Sequence, residues 1–272
     1  MNRPEDLFDE IEKRYDTLSK RLQIIARDLP IYREQLPLMN VEDLADALGV
    51  STATIVRFAQ YFGFKGFSEL KALFQREWLE QTNDYGTRIR TNLSPNQIKD
   101  SDIVQTIFQN NIQGLQELIT PKLMEELNAA VDLMMQAKSL WIMASGRHFG
   151  SAAYLTYLLQ HSPKTINWLN GLCFNLEGKL HSIHKNDVLI VISYAPYAES
   201  TLQAVCSAQA RKAKIIAITD SHLGEIGQHS DQIIQVREAN SYGFRSVTNS
   251  VSVIQALFLL YASRADFSPK ED

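Results

Sequence analysis

Cysteine is nearly absent from this chain: Cys173 and Cys206 are the only two in 272 residues, at a spacing that suggests neither a disulfide framework nor a zinc site. Long apolar runs are missing as well. No stretch reaches the roughly 18 consecutive apolar residues that a membrane-spanning helix needs, so no membrane partner is expected. The first ten residues carry Arg3, Glu5, Asp6, Asp9 and Glu10 and no apolar run, which argues against a secretory signal. Internal repeats and low-complexity tracts are lacking, and no motif calls for a cofactor. These absences together predict a cytoplasmic protein with reduced thiols. An excess of positive charge is also missing, because the formal net charge is −4. Any nucleic-acid contact must therefore come from a local basic surface, since phosphate neutralisation dominates such affinity.

What is present is an ordinary globular composition, with 45% hydrophobic and 21% charged residues. The length favours two domains over one. We expect a helical domain over residues 1–82, a linker over 83–100 and an α/β domain over 101–272. In the first, Leu7, Ile11, Tyr15, Leu18, Leu22, Ile25 and Leu29 recur at steps of three and four, the spacing of one helical face. Gly86, Asn92, Ser94, Pro95 and Asn96 change the texture to that of a connector, where Ser94-Pro95 could open a helix. Helical spacing returns from Ile103 to Ile119, and Thr120-Pro121 reads as an N-cap followed by proline at the first helical position. Beyond it, short apolar runs at 140–144, 165–169, 188–192, 214–219 and 232–236 alternate with amphipathic segments. That alternation predicts a doubly wound, five-stranded parallel sheet, which binds ligands beyond the carboxyl ends of its strands.

Residues 41–58 carry the sharpest motif. Ala45 is small enough for a second helix to approach the first, and Gly49 stands where the chain must turn. Leu44, Leu48, Val50, Ile55 and Phe58 can form a small shared core, and Ser51 can cap the second helix. This is the pattern of a helix-turn-helix, with Ser51, Thr52, Ala53, Thr54 and Arg57 facing a major groove. An ordinary helical hairpin would need only the glycine. Arg57 is the foremost candidate for a two-pronged contact to guanine or phosphate. Lys65, between Gly63 and Gly66, is a further phosphate contact, and Lys71 and Arg76 complete a basic window against Glu69.

Residues 41–71, through Ser51, Thr54, Arg57, Phe58, Gly63, Phe64, Gly66 and Phe67, resemble the helix-turn-helix of RpiR/MurR-type transcriptional regulators. The domain order is similar over nearly the whole chain. The resemblance implies a C-terminal sugar isomerase (SIS) domain that binds phosphorylated sugars and dimerises. It also implies a homodimer, or a tetramer, on a palindromic double-stranded DNA operator, and no enzymatic activity.

Two turns of the α/β half are candidate effector loops. Ser145, Gly146, Arg147 and His148 follow the first apolar run, where glycine at a helix start exposes backbone donors to an anion. The SIS pattern there is Gly-x-Gly-x-Ser, and this chain has Ala144, Gly146 and His148 at those places; either Arg147 and His148 replace the lost hydrogen bonds to a phosphate, or His148 only caps the helix. Ser193, Tyr194, Tyr197 and Ser200 follow the third run. There the SIS phosphate loop reads Ser-x-Ser-Gly-x-Thr, whereas Ala195 and Pro196 stand in place of hydroxyl and glycine, and proline removes a donor. Thr219, before Asp220-Ser221, lines the cleft or caps the next helix. Arg245, assigned to the loop after the last strand, is another anion candidate. Glu177, with His181 and His184 near it on one helical face, is a further effector-binding candidate, and Glu177 or a nearby histidine is the candidate base of the alternative function, a sugar-phosphate isomerase with an accessory helical domain. A dimerisation scaffold without ligand is the third reading, kept open by Ala195-Pro196.

Overall fold

The computed structural model describes residues 4–33, 35–82, 86, 89, 92, 93, 98–171 and 176–267, with the side chains of Glu5 and 76–82 left aside. Most of the expected linker, with its Ser94-Pro95 start, lies outside the described residues, as does Cys173. The chain forms two compact units, Met1–Ile98 with Leu223–Glu225, and Lys99–His222 with Ile226–Asp272.

The N-terminal unit is all helical. Helices α1 (Pro4–Arg14) and α2 (Lys20–Asp28) precede α3 (Val41–Leu48), α4 (Thr52–Tyr61) and α5 (Phe67–Thr82). The apolar register from Leu7 to Leu29 is continuous in sequence, yet the backbone breaks within it. A 3₁₀ turn at Tyr15–Thr17 is followed by extended conformations at Leu18 (ψ 147°) and Ser19 (ψ 153°), so two separate helices form instead of one running straight. Leu7, Ile11, Ile25 and Leu29 still meet in one core, joined by Leu44, Ile55, Phe58, Leu70 and Phe74. Periodicity reports which side is buried; it does not report where a helix stops.

The C-terminal unit opens with α6 (Asp100–Leu118) and α7 (Pro121–Gln136), the latter capped by Thr120, whose Oγ1 accepts from the Leu123 N–H at 3.2 Å. Then follow β1 (Ser139–Ala144), α8 (Phe149–Leu159), β2 (Thr165–Leu169), α9 (Leu176–Leu180), β3 (Val188–Ile192), α10 (Glu199–Ala210), β4 (Lys214–Thr219), α11 (Glu225–Gln228) and β5 (Gln232–Gln235). The five strands are parallel, in the order β2-β1-β3-β4-β5. All five residues of β3 are buried, as a strand covered on both faces requires. Alternate residues serve alternate layers. Leu140, Ile142, Ile190 and Ile216 pack with residues of α7, α8 and α12 (Thr248–Ala262), while Trp141, Met143, Leu189, Val191 and Ile215 pack with residues of α9, α10 and α11. One element had no counterpart in the sequence reading. A hairpin, β6 (Asn240–Ser241) with β7 (Phe244–Arg245), turns through Tyr242 (φ 54°) and Gly243 (φ 78°). Both central residues are left-handed, the requirement of the commonest two-residue hairpin turn. Arg245 therefore lies in a strand of this hairpin and not in a loop. Among the described residues, no helix is long and apolar enough to cross a membrane.

Candidate DNA-reading helix and effector crevice

In the N-terminal unit, Asn40 and Asp43 form a reciprocal capping box at the start of α3, each side chain accepting from the other's backbone N–H at 2.8 Å. Gly49 ends the helix at φ 63°, a left-handed position that only glycine adopts without strain. Ser51 then caps α4: its Oγ accepts from the Thr54 N–H at 3.3 Å and lies 2.8 Å from the Thr54 hydroxyl. Ala45, Ile55, Phe58 and Ala59 are buried between the helices, while Ser51, Thr52, Ala53, Arg57 and Gln60 are exposed along α4. One face of α4 thus holds the fold and the other is presented outward.

The structure sorts the basic window. Arg57 is exposed, and so is Lys65, whose backbone N–H is bonded to Glu69 Oε2 at 2.6 Å. Lys71 is different: its ammonium donates to the Met39 carbonyl at 2.8 Å and ties α5 to the segment before α3. Its partial burial makes it a structural contact. The Arg76 side chain lies outside the described residues. Ser51→Ala is expected to cost about 1 kcal/mol, the usual loss for a hydroxyl N-cap, read as a lowered urea midpoint. An unchanged midpoint would show that the cap contributes nothing.

In the C-terminal unit the strand order decides where the two candidate effector loops meet. From β1 the chain passes to β2 on one side, then crosses back to β3 on the other, so the turns after β1 and β3 diverge from neighbouring strands. That reversal point, at the carboxyl edge, is where open α/β sheets leave a crevice. The Ser145 hydroxyl, after β1, lies 2.9 Å from that of Ser200 and 3.3 Å from that of Thr201, both on the first turn of α10. Gly146 (φ 58°) turns the chain into a 3₁₀ turn ending at His148.

His148 is buried with its ring 4.6 Å from that of Tyr194, at 30°. Its Nε2 accepts from Arg147 Nε at 3.2 Å, and its Nδ1 faces the Ser151 hydroxyl at 3.5 Å. Burial, together with the charges of Arg147 and Arg245, lowers its pKa to about 3, so the imidazole is neutral and can accept from the guanidinium. Arg147 is exposed by area, yet enough protein surrounds its guanidinium that desolvation, then the nearby Arg245, hold its pKa below the ordinary arginine value. Arg245 donates from Nη1 to the Ala195 carbonyl at 2.8 Å, reaching the β3 turn from β7; the peptide bond from Ala195 to Pro196 is cis. Glu238 accepts from the Asn249 and Ser250 N–H groups at the start of α12, at 3.2 and 2.8 Å, and burial raises its pKa.

Other sequence candidates have internal partners. The Ser193 N–H pairs with the Ile218 carbonyl at 3.1 Å, and its side chain is buried. Tyr194 turns inward, its hydroxyl 2.6 Å from Ser250 Oγ, and burial raises its pKa well above the usual phenol value. Tyr197 donates to Asp220 Oδ1 at 3.3 Å, as does the fully buried Thr219. Glu177 is exposed on the five-residue α9, and among the described residues it shares no hydrogen bond with the crevice side chains. On the same segment His181 lies 2.6 Å from Arg211, and no cluster of metal-ligating residues occurs among the described residues. Sequence reasoning missed Glu238 and Ser250, which stand in polar stretches with no periodic signal.

Comparison with known proteins agrees with this two-part reading. The helix-turn-helix domain of the rpiR family matches residues 6–81, and the SIS domain matches residues 133–260. The transcriptional regulator RpiR of Escherichia coli K12 is 23% identical over 195 residues, covering 71% of this chain and 64% of its own length. The sugar isomerase domain of an RpiR transcription factor from Sphaerobacter thermophilus superposes with a TM-score of 0.55 at 22% identity, covering 60% of this chain and 90% of that one. The Vibrio vulnificus NanR protein, solved with ManNAc-6P, gives a TM-score of 0.55 at 17% identity over 95% of this chain and 92% of its own. A helix-turn-helix of the rpiR type followed in one chain by a SIS domain places this protein in the RpiR family of transcriptional regulators.

Proposed function

We propose that the protein binds a palindromic operator as a homodimer through α4, and that a phosphorylated sugar in the crevice between the β1 and β3 turns alters its operator affinity. The observation that carries the effector half is the convergence of Ser145, Arg147, Ser200 and Arg245 on that crevice, from separate strand ends and a hairpin. Hydroxyls and guanidinium groups together suit a ligand that is both polyhydroxylated and anionic. The complex of the Vibrio relative with an amino-sugar phosphate supports that class. On the DNA side, the exposed Ser51, Thr52, Ala53, Arg57 and Lys65, with the half-buried Thr54, supply base and phosphate contacts, the helix N-terminus adding its own attraction for phosphate. Two such helices related by a dyad read half-sites one helical turn apart or a multiple of it, hence the palindrome and the dimer. The effector acts only to the extent that it binds the two dimer geometries with different affinity.

Fluorescence anisotropy against intergenic DNA, repeated with a panel of sugar phosphates, tests this. Specific binding that one sugar phosphate shifts supports the reading. Absence of any specific DNA complex at moderate salt would sink it.

A further inference from the structure

Helix α6 is inverted relative to a helix that only covers its own unit. Its polar positions face the protein. The Thr106 hydroxyl accepts from the Tyr242 hydroxyl at 3.2 Å, and Asn110 Nδ2 donates to the Asn240 carbonyl at 3.2 Å and to Ser241 Oγ at 2.9 Å, both on β6. One turn on, Gly114 abuts Asn249 at the start of α12, where a Cβ would stand 2.7 Å from Asn249 Nδ2. Its apolar positions face outward. Val104, Phe108 and Ile112 form a second stripe of the same spacing on the opposite side of the helix. They are 56%, 64% and 54% exposed, and not one residue of α6 is buried. Exposed Gln105, Gln109, Gln113 and Gln116 border the stripe, and no lysine or arginine occurs between Lys99 and Lys122. The neighbouring helices share this character. α12 packs against both α6 and α8, and neither α8 nor α12 contains a charged residue. Each adds an exposed large apolar side chain, Tyr157 and Leu259, whereas α9, α10 and α11 on the other side of the sheet have none among the described residues.

We propose that a second copy of the chain docks on this face of α6, α8 and α12, with the Val104-Phe108-Ile112 stripe of each copy lying in the interface. This rests on the homodimer reading above and names its surface. A helix turns an apolar stripe outward where something else covers it, and contiguous patches of this kind mark interfaces. Charge decides what covers this one. DNA needs cations to meet its phosphates, and α6 has none. A twofold axis sets a surface against its own copy, so a charge near the axis meets its like. An uncharged stripe edged by glutamines, whose amides both donate and accept, is complementary to itself. Size agrees. With 19, 11 and 15 residues, α6, α8 and α12 are about 28, 16 and 22 Å long, and at roughly 9 Å spacing they offer a footprint on the order of 600 Å². Stable interfaces use about 800 Å² of accessible surface per partner, which side-chain relief over such a footprint supplies.

The test is sedimentation velocity of the full chain over a range of concentrations, comparing wild type, Phe108→Asp, Ile112→Asp and Gln209→Glu, the last an exposed position of α10 on the other side of the sheet. Far-ultraviolet circular dichroism identifies any variant that fails to fold, in which case the milder Phe108→Ser takes its place. Both α6 positions are exposed, so neither substitution opens a cavity. The wild type should sediment as a dimer. Each Asp variant should raise the dimer dissociation constant at least tenfold, and Gln209→Glu should change it less than threefold. Folded Asp variants that dimerise as the wild type does overturn the assignment of the face and leave the homodimer reading standing. A wild type that stays monomeric at every concentration overturns both, and the face then belongs to another partner. Dimers that the Asp substitutions dissociate, from a chain that forms no specific DNA complex, keep the face and remove the operator reading.

Discussion

Phe58→Ala is expected to destabilise the helical unit by about 3–5 kcal/mol, whereas Arg57→Ala, one residue away, leaves its stability unchanged and removes about tenfold to a hundredfold of operator affinity. The contrast follows from the geometry of α4. Phe58 is fully buried, its ring 4.8 Å from that of Phe62, in a core to which each of α1 to α5 contributes. Truncation removes a large apolar side chain and leaves a cavity that packed helices collapse into only partly. A loss of that size is a large share of the total stability of a small domain. Arg57 is exposed and contributes to no core. Urea denaturation followed by circular dichroism reads the first effect and anisotropy the second. The salt dependence then separates two roles for Arg57. A phosphate contact lowers the slope of log affinity against log salt by about one and weakens all sequences alike, while a base contact relaxes preference at one operator position. Arg57→Ala protein with unaltered affinity for every operator would remove α4 as the reading helix.

Acid should weaken the C-terminal unit through His148. Its pKa is about 3 in the folded protein, held down by burial and by Arg147 and Arg245, against about 6.5 in an unfolded chain. Between those values the unfolded chain takes up a proton that the folded one refuses, so stability rises with pH across the window. The contribution is fully present above about pH 6.5 and is lost as the pH falls toward 3. From pH 7 to pH 5 this amounts to about 2 kcal/mol. Glu238, whose pKa is raised by burial, works in the opposite direction, so the informative quantity is a difference between proteins. Urea unfolding of wild type and His148→Gln at both pH values supplies it. Glutamine keeps an acceptor for Arg147 but cannot titrate, and its loss from pH 7 to pH 5 should be smaller by roughly that amount. Identical losses in the two proteins would show that His148 is not the group being titrated.

Much of this fold was legible in the sequence because its determinants are local. The helix-turn-helix is written within residues 41–58: the small Ala45, the left-handed Gly49, the Ser51 cap and the apolar positions all act over one or two helical turns. The strands are legible because a parallel strand buried on both faces must be apolar throughout, and Val188–Ile192 is. Helix ends were harder, as the break at Tyr15–Ser19 shows, because two helices can share one apolar register. The hairpin at Asn240–Arg245 escaped because two-residue strands have no periodicity to detect.

The sequence by itself determined the helical half followed by an α/β half, the helix-turn-helix pattern with Arg57 on the outer face of its second helix, and the two turns after β1 and β3 as candidate effector loops. Only the tertiary structure decided which side chains meet there. The order β2-β1-β3-β4-β5 sets the turns after β1 and β3 side by side, and the hairpin carries Arg245 to Ala195, 50 residues away in the chain. The same packing turned Tyr194 inward, spent Lys71 on the Met39 carbonyl and left Glu177 apart. The physical reason is one of range. Helix and strand propensities are settled by neighbours along the chain, whereas the partner of a polar group is settled by which buried donors and acceptors must be satisfied once the elements have packed.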